Sequence, residues 1–144
     1  MQGYGLKRCK DMSNDVRRIL VAEDNPALLQ VVSFNLEQAG FQVTRAGNGR
    51  KAWELLNSQH HDLVITDHQM PEMTGWDLCV EMSKTSTHAQ TPVIFLTAKK
   101  LEIDATQLKS EFGVVAVFAK PFSPRELVCA VEDLLAPAAQ SSHA

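Results

Sequence analysis

The chain has 144 residues, 44% of them hydrophobic and 22% charged, which is enough for one ordinary domain with a real core. Its net charge of -3 carries no basic footprint of the kind nucleic-acid binding leaves, and the pairs Arg17-Arg18 and Lys99-Lys100 read as solvated surface. No apolar run reaches membrane-spanning length, the N-terminus has no signal-peptide core, and Cys9, Cys79 and Cys129 fit neither a disulfide framework nor a CxxC site, so a cytoplasmic protein is expected.

Residues 1–15 are polar and aperiodic and read as a flexible leader. Residues 137–144 read as a tail, which leaves one folded unit over 16–136. Arg18 to Glu23 (RILVAE) is a buried strand by its apolar content. Asn25-Pro26 then opens a helix, with Asn as N-cap and Pro at the first helical position. Leu28, Leu29, Val32, Leu36 and Ala39 form its stripe, and Gly40 stops it. Phe41 to Ala46 is the second strand. After the turn Gly47-Asn48-Gly49, residues Ala52, Leu55 and Leu56 mark a second helix, with Trp53 partly buried on it.

The third strand, Asp62 to Asp67, is preceded by His60 and His61, both expected at the surface. Thr74-Gly75 starts the third helix with Asp77 placed for a capping box, and Leu78, Cys79 and Met82 face inward. Pro92 to Thr97 is the fourth strand. Leu101, Ala105, Leu108 and Phe112 give a fourth helical stripe that Gly113 closes. Val114 to Ala119 is the fifth strand. Ser123-Pro124-Arg125-Glu126 starts a fifth helix, with Leu127, Val131, Leu134 and Leu135 inside and Pro137 at its end; Cys129, like Cys79, is expected in the core or at its boundary.

Five βα units with continuous apolar strands predict an α/β fold, a single doubly wound, flavodoxin-like parallel sheet covered on both faces, in the order 2-1-3-4-5. Such sheets bind ligands beyond the carboxyl ends of their strands. The groups expected there are Glu23 and Asp24 from strand one, Asp67 from strand three, Thr97 from strand four and Lys120 from strand five. Taken singly, each is an ordinary cap, turn or surface residue. Jointly, three crowded carboxylates take up protons or hold a cation, and an all-oxygen donor set suits Mg²⁺ rather than zinc. With a hydroxyl and an ammonium beside them, the set can hold the equatorial oxygens of a phosphoryl in transfer, with the central Asp67 as nucleophile.

These segments resemble the receiver domain of two-component response regulators of the chemotaxis-regulator kind. ILVAEDNP resembles its acid-pair motif. LVITDHQMPEMTGWD resembles its phosphoacceptor segment, with Pro71 and Gly75 at the family's spacing from Asp67. PVIFLTA and VFAKPFSPREL resemble its Thr-Ala and Lys-Pro segments. The resemblance spans about 18–135 and implies that Asp67 accepts a phosphoryl group from a sensor histidine kinase or a histidine phosphotransfer protein. It implies Mg²⁺ ligation by Asp24 and Asp67, by Glu23 through water and by the backbone carbonyl of Gln69. Thr97 would swing toward the phosphoryl, Lys120 would pair with it, and the Lys120-Pro121 bond would be cis. Output would pass to a downstream target protein through the face built from the fourth helix, the fifth strand and the fifth helix. The chain would be a monomer or a weak, phosphorylation-dependent dimer, acting by docking or as one piece of a longer chain.

Two departures stand out. The family's aromatic three residues before the Lys is Val117 here, and alternation turns Phe118 to the other face. His68 directly after the acceptor is also unusual. The resemblance further gives Gln69 and Lys99 the positions that tune hydrolysis of the acyl phosphate, and a cationic Lys99 is expected to hinder attacking water and prolong the phosphorylated state. The competing function, an aspartyl-phosphate phosphatase on a similar scaffold, needs a second acid two residues after the nucleophile, where this chain has Gln69. A nucleotide or flavin carrier needs a glycine-rich loop after strand one, where the chain reads EDNPALL.

Overall fold

A computed structural model describes residues 16–98 and 113–135. The leader, the tail, Cys9, Lys99 and the predicted helix over 101–112 lie outside the described residues. The elements are β1 (Arg18–Ala22), α1 (Pro26–Gln38), β2 (Gln42–Ala46), α2 (Gly49–Ser58), β3 (Leu63–Asp67), α3 (Gly75–Ser83), β4 (Val93–Thr97), β5 (Val114–Ala119) and α4 (Pro124–Leu135), the last being the fifth helix of the sequence pattern.

The five strands form one sheet in the order β2-β1-β3-β4-β5, every neighbouring pair parallel. This is the 2-1-3-4-5 order expected from the repeated βα units. β3 and β4 are buried at all five positions, as central strands covered on both faces must be. Their alternate residues feed two apolar clusters. One lies under α2 and α3 and contains Leu20, Val64, Phe95, Ala52, Leu56, Leu78 and Met82. The other lies under α1 and α4 and contains Ile19, Ile65, Ile94, Leu96, Leu36, Leu127 and Val131.

Local chemistry sets the helix ends. The Asn25 side chain accepts from the N–H groups of Ala27 and Leu28, with Pro26 as first helical residue. Gly40 takes φ +102° just past the end of α1, a left-handed conformation that favours glycine. Thr74 and Asp77 form the reciprocal capping box at α3. At α2, Asn48 of the Gly47-Asn48-Gly49 turn is also the N-cap, its side chain accepting from Lys51 N–H at 2.7 Å.

Some positions differ from the pattern. Ala39 is exposed and Ser33 takes the inner place on α1. Leu134 is exposed on α4, and so is Cys129, which is therefore neither core nor boundary. His60 is exposed as expected, but His61 is buried, 4% accessible, with Nε2 3.1 Å from Thr44 Oγ1. Successive residues of an extended segment face opposite ways, so the two histidines do not share one environment. Burial, together with the charge of Arg18, holds the His61 pKa down at about 4.

Candidate functional site

At the carboxyl ends of β1, β3 and β5, three acids and one lysine converge. The Glu23 N–H donates to the Ala46 carbonyl at 3.0 Å and carries the β1–β2 pairing one residue past the strand. This leaves the Glu23 side chain on the inside, 1% accessible, while Asp24 next to it is exposed. Asn25 serves both ends of this turn: its side chain caps α1, and its N–H donates to Glu23 Oε2 at 3.1 Å. Asp67 closes β3 and pairs in register with Leu96; it is buried at 4%. Thr97, buried, closes β4, and its carbonyl accepts from Lys120 N–H at 2.7 Å. That bond brings the end of β5 alongside, just before the cis Lys120-Pro121 peptide.

The Lys120 ammonium lies between two of the acids. Its Nζ is 2.9 Å from Glu23 Oε1, 3.2 Å from Glu23 Oε2 and 3.1 Å from Asp67 Oδ2. Burial pushes the Glu23 carboxyl up to about 7, against the opposing pull of Lys120 and the Asn25 N–H; the charge of Asp67 adds to the rise. Burial alone would lower the Lys120 pKa, but its bonds to Glu23 and Asp67 outweigh that and raise it.

One carboxylate oxygen each from Glu23, Asp24 and Asp67 lies within 4.8 Å of the others. Glu23 Oε1 is buried and meets the Lys120 ammonium at 2.9 Å. An all-carboxylate cluster of this kind fits a hard divalent cation. Gln69, exposed, stands two residues past Asp67 at the start of the β3–α3 loop.

That loop is held from two sides. The Gly75 N–H donates to the His68 carbonyl at 2.9 Å and the Met73 N–H to the Pro71 carbonyl at 2.7 Å, while Glu72 takes φ 69°. Gly75 must be glycine, because a Cβ there would collide with the Asp67 carbonyl oxygen. Gly49, at the start of α2, meets the same limit against the Met73 carbonyl. This second contact joins segments 24 residues apart and is not implied by the local pattern of either. A glycine directly after the N-cap Asn48 was the signal that could have shown it.

On β5, Val117 packs into the cluster under α2 and α3. Phe118 turns to the other face and meets Phe122 edge-on, ring centroids 6.2 Å apart. Val117 and Phe118 thus face opposite sides of the sheet, as strand alternation requires.

The chain matches the family described as response regulator receiver domain over residues 19–132. It belongs to that family. A receiver domain is a signalling phosphoacceptor. Among curated relatives, this one is 35% identical over 124 residues to the transcriptional regulatory protein SrrA of Staphylococcus aureus, a match covering 86% of the chain and 48% of SrrA. The chain thus spans about half the length of the curated relatives it matches. Among solved structures it resembles the chemotaxis protein CheY4 of Vibrio cholerae, with TM-score 0.73 and 28% identity, covering 82% of this chain and 98% of that one. It also resembles the receiver domain of the sensor histidine kinase PA1611 of Pseudomonas aeruginosa, with TM-score 0.75 and 27% identity, covering 85% and 99%. That structure has a magnesium ion coordinated in its active-site cleft. The receiver domain described here has no helix, among its described residues, long and apolar enough to cross a membrane.

Proposed function

We propose that this receiver domain takes a phosphoryl group from a phosphohistidine, on a sensor histidine kinase or a histidine phosphotransfer protein, onto Asp67. The observation that carries the reading is the Lys120 ammonium 3.1 Å from Asp67 Oδ2, beside three carboxylates within 4.8 Å of one another. An acid nucleophile, a fixed cation and neighbouring carboxylates able to hold a second cation suit phosphoryl transfer, which depends on positioning and charge neutralisation.

An Asp67 carboxylate oxygen attacks phosphorus as the bond to the imidazole nitrogen breaks. The nitrogen leaves with the electron pair and takes up a proton, and Asp67 becomes an acyl phosphate. The buried, fully paired β3 fixes the nucleophile, so little orientational freedom is lost during the reaction. Lys120 pairs with one phosphoryl oxygen, and the Thr97 hydroxyl donates to another. Asp24, Asp67, the Gln69 carbonyl and, through water, Glu23 would hold Mg²⁺, which would supply neutralisation of charge on the transferring oxygens. The added charge at Asp67 then shifts the population toward a second arrangement of the face formed by the predicted helix over 101–112, β5 and α4, and a downstream protein reads it. The domain works as a monomer or a weak, phosphorylation-dependent dimer.

The test is incubation with Mg²⁺ and a small acyl-phosphate donor. The expected product is one phosphoryl adduct, acid-stable and base-labile, that is lost in Asp67→Asn with folding intact. An equal adduct in Asp67→Asn would defeat the assignment.

A further inference from the structure

His68 is the residue that the proposed chemistry leaves without a task. Asp67 pairs with Leu96 across β3 and β4, so the next position, His68, stands beside Thr97. The His68 N–H donates to the Leu96 carbonyl at 2.8 Å and continues the ladder to that point. Strand alternation puts His68, Thr66, Phe95 and Thr97 on one face of the sheet. Phe95 pairs with Val117 and Thr97 with Ala119, so the same face runs on into β5. Phe95 and Val117 belong to the cluster under α2 and α3.

The imidazole lies over Phe95, ring centroids 5.8 Å apart and planes inclined by 34°. His68 is half-buried, and its Nδ1 is fully covered yet makes no hydrogen bond among the described residues. A covered ring nitrogen without a partner costs free energy, so the arrangement is held by packing and has a polar atom to satisfy if it changes. In register, the aromatic ring next to position 97 thus comes from the β3 side, whereas the β5 side offers the small aliphatic Val117.

We propose that His68 is a positioning residue for Thr97. Its ring, seated on Phe95, holds the threonine side chain in one arrangement while Asp67 is unmodified. When the phosphoryl group draws the Thr97 hydroxyl over, the ring re-seats against Phe95 and Val117 and passes the change to β5. The inference rests on the phosphoacceptor reading of Asp67 given above.

Methyl NMR of Val115 and Val117 reports the response of β5, and intact mass measured on the same sample reports the adduct. The full chain is used throughout, with Mg²⁺ and a small acyl-phosphate donor. Wild type is expected to gain the adduct and shift its Val117 methyl resonances. His68→Leu, which keeps bulk but removes the ring, is expected to reach an adduct level within about twofold of wild type while its Val117 shift falls at least threefold. His68→Phe, which keeps a ring on Phe95, restores most of the shift. A full shift in His68→Leu at equal adduct overturns the proposal, and so does a His68→Phe response as small as that of His68→Leu. Absence of any adduct in the wild type overturns the phosphoacceptor reading, and the inference with it.

Discussion

Replacing His61 by Gln removes a buried imidazole from the amino-terminal end of β3, far from the acids. The folded protein keeps this histidine neutral down to about 4, against an ordinary value of 6.5, first because it is buried and next because Arg18 is close; His60 adds to the effect, while Asp62 and a backbone contact at Gln59 oppose it. As pH falls, the unfolded chain takes up a proton near 6.5 and the folded chain does not until about 4. Stability from this group is therefore full above 6.5 and lost progressively below it. Between pH 7.5 and pH 5 the loss amounts to about 2 kcal/mol. Glu23 acts in the opposite sense. Its folded value of about 7 exceeds the ordinary 4.5, so the folded form binds a proton first and gains stability as pH falls between those values. The two effects offset each other in the wild type, so a single pH profile would show little. The informative quantity is the difference between wild type and His61→Gln, in which Glu23 and Asp62 cancel. Urea unfolding in EDTA at pH 7.5 and pH 5 gives it. The wild-type advantage over the variant is expected to shrink by about 2 kcal/mol on acidification. A difference that stays constant across that range would refute the account of His61.

Three further outcomes follow from the site. Asp24→Asn is exposed and leaves the core untouched, so its unfolding midpoint should stay near that of wild type while Mg²⁺ affinity, measured by calorimetry, falls at least tenfold; unchanged affinity would remove Asp24 from the ligand set. Gly49→Ala forces a Cβ against the Met73 carbonyl, and overpacking of this kind costs about 1–3 kcal/mol. Because the displaced loop carries Gln69, adduct formation should slow as well, and a stable variant with wild-type kinetics would show that the loop yields freely. Asn25→Ala removes the side-chain acceptor of α1 and should cost about 1 kcal/mol in urea unfolding, with the Glu23 contact to the backbone N–H at position 25 retained.

Strand ends and the caps of α1 and α3 were the legible part of the fold. They follow from neighbours in sequence, as Asn25-Pro26 and Thr74 with Asp77 show, and the strand order followed from the βα repeat. The meeting of Glu23, Asp24, Asp67 and Lys120 was legible too, because a parallel sheet delivers every carboxyl end to one edge. What the chain did not disclose was how these groups divide space. Nothing in Glu23-Asp24 says that the first acid turns inward onto Lys120 and the second outward; that depends on the Asn25 N–H and on β2 alongside. His60-His61 failed for the same reason, since two identical neighbours in an extended segment enter opposite environments. Gly49 failed because its partner, Met73, is brought near only by the packing of α2 against the β3–α3 loop.

The lysine at the end of β5 is, in effect, a counter-ion built into the chain. Its single charge offsets part of the charge on the two carboxylates it touches, Glu23 and Asp67, so these buried acids do not repel each other unopposed. The same tether that joins the end of β5 to β1 and β3 thereby keeps the acidic edge of the sheet from being pushed apart by its own charge.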